Sequence, residues 1–305
     1  MITDIIILAA GKGTRMQSAL PKVLHPLAGQ PMLAHVIAAA DSLTNAKKII
    51  VTGHGAAQVE EAMANTNSTF VQQTEQLGTA HAVQMAVPHL REEATVLILY
   101  GDVPLITPAT IAKMLSAVSD STIGLLTIDL DDPMGYGRIL RNSQGKIESI
   151  IEQKDASPEQ LKITEINTGV LALGARELMS WLPLINNNNA QGEYYLTDII
   201  ALAKADKVAI ETEQPANEWE VLGVNNRIQQ AELERFYQRE LAEQLMAEGL
   251  TLLDPARFDC RGNLEVGQDV VIDVNCVFEG DVKIGNNVSI AQNCSIKKPC
   301  FGLPK

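Results

Sequence analysis

The chain is poor in cysteine. Four occur among 305 residues, Cys260, Cys276, Cys294 and Cys300, all in the last fifth. None forms a Cys-x-x-Cys pair, so neither a zinc site nor a dithiol redox motif is indicated. They read as small buried apolar residues of a reduced, cytoplasmic protein. No apolar run reaches the roughly 18 residues of a membrane span, so no membrane insertion is expected. A basic leader followed by a long apolar stretch is also missing, and a signal peptide is not expected. Nor is there an excess of positive charge. The net charge is −13, which argues against general nucleic-acid binding. Any phosphate ligand must then be met by local cations, backbone N–H groups or a metal.

What is present is an alternating pattern. Short apolar segments at 5–10, 48–52, 69–72, 94–100 and 123–128 have the length and composition of strands. Helical patterns at 32–42, 57–64 and 79–86 separate them. Such alternation predicts an α/β fold, Rossmann-like, with a mixed, mostly parallel sheet. Ligands in such folds bind outside the carboxyl ends of the strands. A domain is therefore expected over 1–227. Residues 226–248 contain neither Gly nor Pro and precede Gly249. They predict a long helix with a glycine stop, a linker at 228–248.

The remaining segment, 249–305, changes character. Val266, Ile272, Phe278, Ile284, Ile290 and Ile296 stand six apart, as do Val270, Cys276, Val282, Val288, Cys294 and Cys300. Gly267, Gly280, Gly285, Asn286 and Asn287 are assigned to the turns. Two rows in phase indicate a hexapeptide repeat, hence a parallel β-helix, rather than hairpins of period two. The repeat covers about two coils, so the solenoid is expected to be a short stub. Pro299, Gly302 and Pro304 fall where the pattern is lost.

The first strand enters Leu8-Ala9-Ala10-Gly11-Lys12-Gly13-Thr14-Arg15-Met16. Small residues let the backbone approach a phosphate and present successive N–H groups to it. A Walker loop is excluded by the Gly11-Lys12-Gly13 order, and a dinucleotide fingerprint by Met16. The bland alternative is a tight strand–helix turn. Arg15 and Lys22, the latter behind Pro21, favour the phosphate reading. Asp102 follows the strand at 94–100, where a carboxylate suits a metal; it also suits a turn cap before Pro104. Asn225 has the residue type of a helix N-cap. Gln73, Gly78 and Thr79 precede and open a helix, where Thr79 would serve as a cap. His25 has a structural rather than a basic role, and no Ser-His-Asp set is visible.

The first loop with Pro21-Lys22 resembles the signature of the sugar-phosphate nucleotidyltransferases. Further segments narrow the likeness: Leu77-Gly78-Thr79-Ala80, Tyr100-Gly101-Asp102-Val103-Pro104, Gly135-Tyr136-Gly137-Arg138-Ile139, Glu165-Ile166-Asn167-Thr168-Gly169, Gly192-Glu193-Tyr194-Tyr195-Leu196-Thr197-Asp198 and Gly223-Val224-Asn225-Asn226-Arg227. In this order they resemble the bacterial bifunctional N-acetylglucosamine-1-phosphate uridyltransferase / glucosamine-1-phosphate acetyltransferase family. The likeness runs along nearly the whole chain.

That resemblance implies UMP transfer from UTP to GlcNAc-1-phosphate, giving UDP-GlcNAc for cell-wall precursors and pyrophosphate. It implies catalytic Arg15, Lys22 and Asp102. It assigns the nucleotide to Leu8, Ala9, Ala10, Gly11, Lys22, Gln73, Gly78 and Thr79, with uracil met by the last three. It assigns the sugar to Tyr100, Gly101, Gly137, Glu152, Asn167 and Thr197, and Mg²⁺ to Asp102 and Asn225. It further implies a left-handed β-helix and, for the full-length family, a homotrimer. With so few coils, acetyl transfer is not expected and the oligomeric state stays open. Within this class another sugar-1-phosphate or base stays open, and two other classes compete: a non-catalytic nucleotide-sugar binder, which would lose Lys22, Arg15 or Asp102, and a glycosyltransferase, which would show Asp-x-Asp where Gly101-Asp102-Val103 stands.

Overall fold

The computed structural model describes residues 2–119 and 122–298. The described residues divide into two compact units, one within 2–24 and 33–223, the other within 25–32 and 224–298.

The first unit is built on a twisted sheet. Across it, in order, lie Ala209–Glu213, Thr122–Asp129, Glu165–Gly174, Thr95–Tyr100, Thr3–Ala9, Lys47–Thr52 and Ser68–Gln72. Along this path only Glu165–Gly174 runs antiparallel to its neighbours. A hairpin, Gly137–Arg141 with Ile147–Ile151, extends from the Asn167 end of that strand. The five strands expected from composition are all present, each within two residues of its expected ends.

Thr3–Ala9 is buried at all seven positions. Its side chains alternate between two cores. Ile6 and Leu8 pack with Ala80, Val83, Leu178 and Ile199 from helices on one face. Ile5 and Ile7 pack with Leu33, Val36, Ile111 and Met114 from helices on the other. A strand covered on both faces needs an unbroken apolar run, which explains the sequence Ile5-Ile6-Ile7-Leu8.

In the second unit a single helix, Arg227–Ala247, is capped by Asn226, whose side chain accepts from Ile228 and Gln229 N–H at 2.9 Å each. The cap is thus Asn226 and not Asn225, whose own N–H donates to Gln229 Oε1 at 2.8 Å. Gly249 at φ 109° ends the helix as expected. His25 is 2% exposed and accepts from Arg227 Nη1 at 3.0 Å, a structural role. Buried Gln238 gives and receives 2.8 Å bonds with the backbone of Cys260, completing a strand edge with a helix side chain.

Beyond the helix, Phe258–Val266, Cys276–Ile284 and Ser295–Lys297 pair in parallel at a step of 18 residues, three hexapeptides per coil. Shorter strands, Thr251–Leu252, Val271–Ile272 and Ser289–Ile290, stack beside them. Cys260, Val270, Ile272, Cys276, Phe278 and Val282 form the core. Burial pushes the Cys260 thiol up to about 11, which keeps it protonated and inert. The left-handed turn positions are Asp269, Asn275, Asn287 and Asn293, at φ 56–61°. Gly280 and Asn286, expected there, do other work. Gly280 lies inside a strand beneath Gly262, where a Cβ on Gly262 would meet the Gly280 oxygen at 2.5 Å. Asn286 Oδ1 accepts from Gln268 N–H at 2.8 Å. Pro299, Cys300, Gly302 and Pro304 lie outside the described residues.

The rings of Phe258 and Phe278, 5.7 Å apart, stack the first two coils. Phe278→Ala is expected to cost about 3–5 kcal/mol, the usual loss for a buried phenylalanine. Urea unfolding followed by circular dichroism measures it; a loss under about 1 kcal/mol would remove this stack from the core.

Candidate functional site

Three strand ends bring the site together. The parallel register sets Leu8 beside both Val51 and Tyr100. Gly101 N–H then donates to the Leu8 carbonyl at 2.9 Å. This extends the ladder by one residue and sets Asp102 next to the first loop. On the other side, a Cβ on Gly53 would lie 2.6 Å from the Ala10 oxygen. Only glycine allows the loop to rest there.

Beyond Gly11 the loop turns at Gly13, φ 59°, where a Cβ would fall 2.7 Å from Lys22 Cβ. The stem of Lys22 fills that space. Met16 is buried and anchors the short turn Thr14–Met16, leaving Arg15 exposed. Val23 and Leu24 are buried beside Lys22, and its ammonium is ion-paired with the Asp102 carboxylate. Both side chains are mostly buried, at 13% and 17% exposure. Asp102 is therefore bound to Lys22 rather than serving as a turn cap.

A cavity of about 390 Å³ opens here, lined by Leu8, Ala9, Ala10, Gly11, Lys22, Gln73, Gly78, Thr79, Tyr100 and Asp102. Gln73 is buried, with its Nε2 donating to Gly78 O at 3.1 Å and set 3.0 Å from His81 Nδ1. Gly78, at φ 122°, is pressed against Tyr194, whose carbonyl a Cβ would meet at 2.4 Å. Thr79 does not cap its helix; its Oγ1 accepts from Leu196 N–H at 3.0 Å. The same lining includes Lys12, Gln76 and Glu193, which sequence reasoning did not select. Lys12 carried a signal, being a cation within the loop. Glu193 reaches the cavity through a fold-back that pairs Leu77 with Tyr194, and nothing local announces it.

The remaining residues gather at a second place. Tyr100, Asn167, Gly169 and Thr197 line a slot of about 20 Å³, and Tyr100 faces both. A Cβ on Gly169 would strike the Tyr100 ring at 2.5 Å, so that glycine shapes the slot. Thr197 Oγ1 donates to Glu152 Oε1 at 3.1 Å. Gly137 pairs with Asn167, and its missing Cβ would lie 3.6 Å from Glu152 Oε1. Burial raises the Tyr100 phenol well above its ordinary range, with the charges of Glu152 and Asp102 adding to the effect, so it remains a neutral donor. Gly101 lies buried beneath the first cavity, near Leu33, Val23 and Ala9. Arg15 is not part of either lining, and Asn225 belongs to the second compact unit.

Burial also raises the Glu152 carboxyl, opposed by the Thr197 bond and reinforced by Asp155, Asp198 and Glu193. A carboxyl raised on folding holds its proton more tightly in the folded state. Stability present at low pH is then lost as pH rises through the folded pKa. Glu152→Gln should gain on the wild type as pH rises above about 4.3, where an ordinary glutamate ionises and the buried one still holds its proton. A stability difference that stays constant above that pH, measured by denaturant unfolding, would contradict this environment for Glu152.

The chain is similar to known proteins. Residues 5–152 match the MobA-like NTP transferase domain, and residues 263–298 the bacterial transferase hexapeptide of six repeats. The bifunctional protein GlmU of Saccharophagus degradans is 62% identical over 285 residues, covering 93% of this chain and 63% of that protein. GlmU of Cellvibrio japonicus is 61% identical over 304 residues, covering 94% of this chain and 67% of its own length. The chain thus spans about two thirds of these relatives. Among solved structures, a nucleotidyl transferase from Methanothermobacter thermautotroptrophicus aligns over 78% of this chain and 99% of its own, with a TM-score of 0.58. At 22% identity that likeness shows the fold. With its transferase domain, its hexapeptide coils and this level of identity, the chain belongs to the family of the bifunctional protein GlmU.

Proposed function

We propose that this chain transfers UMP from UTP to GlcNAc-1-phosphate, releasing pyrophosphate and forming UDP-GlcNAc in the cytoplasm, where UTP is made. The observation that carries the reading is one cavity at parallel strand ends. It joins a glycine-rich loop, a lysine, an amide and a carboxylate in a chain of the GlmU family.

The sugar phosphate is its own nucleophile. A phosphate monoester with a second pKa near 6 is largely dianionic at neutral pH, so no general base is needed. An oxygen of that phosphate attacks the α-phosphorus of UTP, and the bond to the β-phosphate oxygen breaks. Pyrophosphate leaves with the electron pair. The barrier lies in bringing anions together, so catalysis is positioning and charge neutralisation. In this reading Lys22 leaves Asp102 for the α-phosphate, and the N–H groups of the loop beyond Ala9 cradle phosphate oxygens. Arg15, exposed on the following turn, meets the leaving pyrophosphate. Gln73, Gly78 and Thr79 hold uracil. Tyr100, Gly101, Gly137, Glu152, Asn167 and Thr197 hold the sugar and its acetamido group.

Among the described residues, no group of three or more His, Cys, Asp or Glu could hold a metal. A single carboxylate nevertheless fits Mg²⁺, a hard cation that fills its octahedron with phosphate oxygens and waters. Asp102 is the residue of this cavity proposed to hold it; Asn225 is a ligand on the family resemblance alone. The ion would neutralise charge on nucleotide and sugar phosphate alike.

UTP with GlcNAc-1-phosphate is expected to be the best substrate pair, with turnover abolished by chelating Mg²⁺. Pyrophosphate release across nucleotides and sugar phosphates decides it; equal rates with CTP or GTP would sink the assignment. Lys22→Ala should lower kcat/KM by about 100-fold or more, as loss of a preorganised electrostatic contact does. Asp102→Asn should instead raise the Mg²⁺ concentration required. Near-normal rates for the first variant, or an unchanged Mg²⁺ requirement for the second, would remove the residue from its role.

A further inference from the structure

Arg138 is 2% exposed and heads the fully buried side chains in volume among the described residues. Its Nη1 donates to the Tyr136 carbonyl and its Nη2 to Gln153 Oε1 at 2.9 Å. Gln153 Oε1 also accepts from Gly135 N–H at 3.2 Å. The Tyr136 hydroxyl accepts from Gly223 N–H at 3.4 Å. Arg138 Nε has no hydrogen-bond partner among the described residues. One guanidinium thus ties the backbone at 135–136 to the strand end that continues into Glu152 and Gln153.

This arrangement is costly. An ion taken out of water loses much of its solvation, and an apolar side chain of similar volume is often as stable or more so. Here the charge meets acceptors that belong to one loop and its support. That loop ends at Gly137, which pairs with Asn167 and shares a wall with Glu152.

We propose that Arg138 is a positioning residue for the sugar-phosphate half of the site. It touches no ligand. It holds the 132–137 loop so that Gly137 and Glu152 keep a fixed spacing against the sugar. The inference rests on the uridyl-transfer reading above.

Two measurements on Arg138→Met and Arg138→Lys test it. The first is steady-state kinetics with UTP and GlcNAc-1-phosphate. KM for the sugar phosphate should rise about tenfold in the Met variant, in keeping with the loss of a charged hydrogen bond. KM for UTP should move by less than about twofold, and Lys should restore part of the loss. The second is amide hydrogen exchange, which needs no activity. Exchange at 132–137 should quicken in the Met variant while that at 8–16 stays as in the wild type. Equal rises in both KM values, an unchanged sugar KM, or unchanged exchange at 132–137 would overturn the proposal. A wild-type chain without turnover would instead overturn the uridyl-transfer reading and leave the exchange result standing. If Arg138→Met does not fold, Gln153→Ala removes the shared acceptor from a half-buried position. A wild-type sugar KM in that variant would equally overturn the proposal.

Discussion

The parallel register around Thr3–Ala9 is the constraint on which the cleft depends. Leu8 stands level with Val51 and Tyr100, so three chains leave the sheet at the same height. Ala10 then rests against Gly53, and Gly101 bonds Leu8 just before Asp102. A slip of one residue would turn Ile6 and Leu8 toward the wrong core and move the loop along the strand by about 3.3 Å. Burial on both faces forbids that slip. The fully apolar strand is therefore what sets the position of the polar loop.

Charge is handled locally in a chain of net charge −13. Lys22 and Asp102 lie mostly out of water and neutralise one another. Neither is thereby left as an uncompensated buried ion, which would cost several kcal/mol. They line the first cavity together with the polar side chains of Lys12, Gln73, Gln76, Thr79 and Glu193. Glu152 and Tyr100 show the complementary effect. Burial favours the neutral form of each.

The second unit obeys a different rule. Its coils repeat every 18 residues, and among the described residues their strands pair with those of the coils above and below. Stability is then set by nearest-neighbour stacking. Phe258 lies against Phe278, and Asn275 bonds Asn293 at 3.1 Å from the equivalent position of the next coil. Gln238 joins this solenoid to the long helix through paired backbone bonds.

Much of this was legible in the residues themselves. Periodicity of hydrophobic residues determined the strands, the helix ending at Gly249 and the hexapeptide coils, because burial demands a fixed period. The loop from Leu8 to Gly13 was legible from its small residues, and at Gly13, φ 59° with Lys22 packed against it, the backbone path requires one. What required the tertiary structure was whatever depends on partners distant in sequence. The cap of the long helix fell to Asn226 because one-residue geometry decides which side chain reaches the first free N–H groups. Thr79 looked like a cap and instead binds Leu196, more than a hundred residues away. Glu193 reached the cleft through a fold-back at Tyr194, and Arg138 was buried against Tyr136 and Gln153 although arginine is ordinarily a surface residue. Local sequence specifies the backbone period and the turn chemistry; which side chains meet is decided by the packing of elements whose separation along the chain carries no pattern.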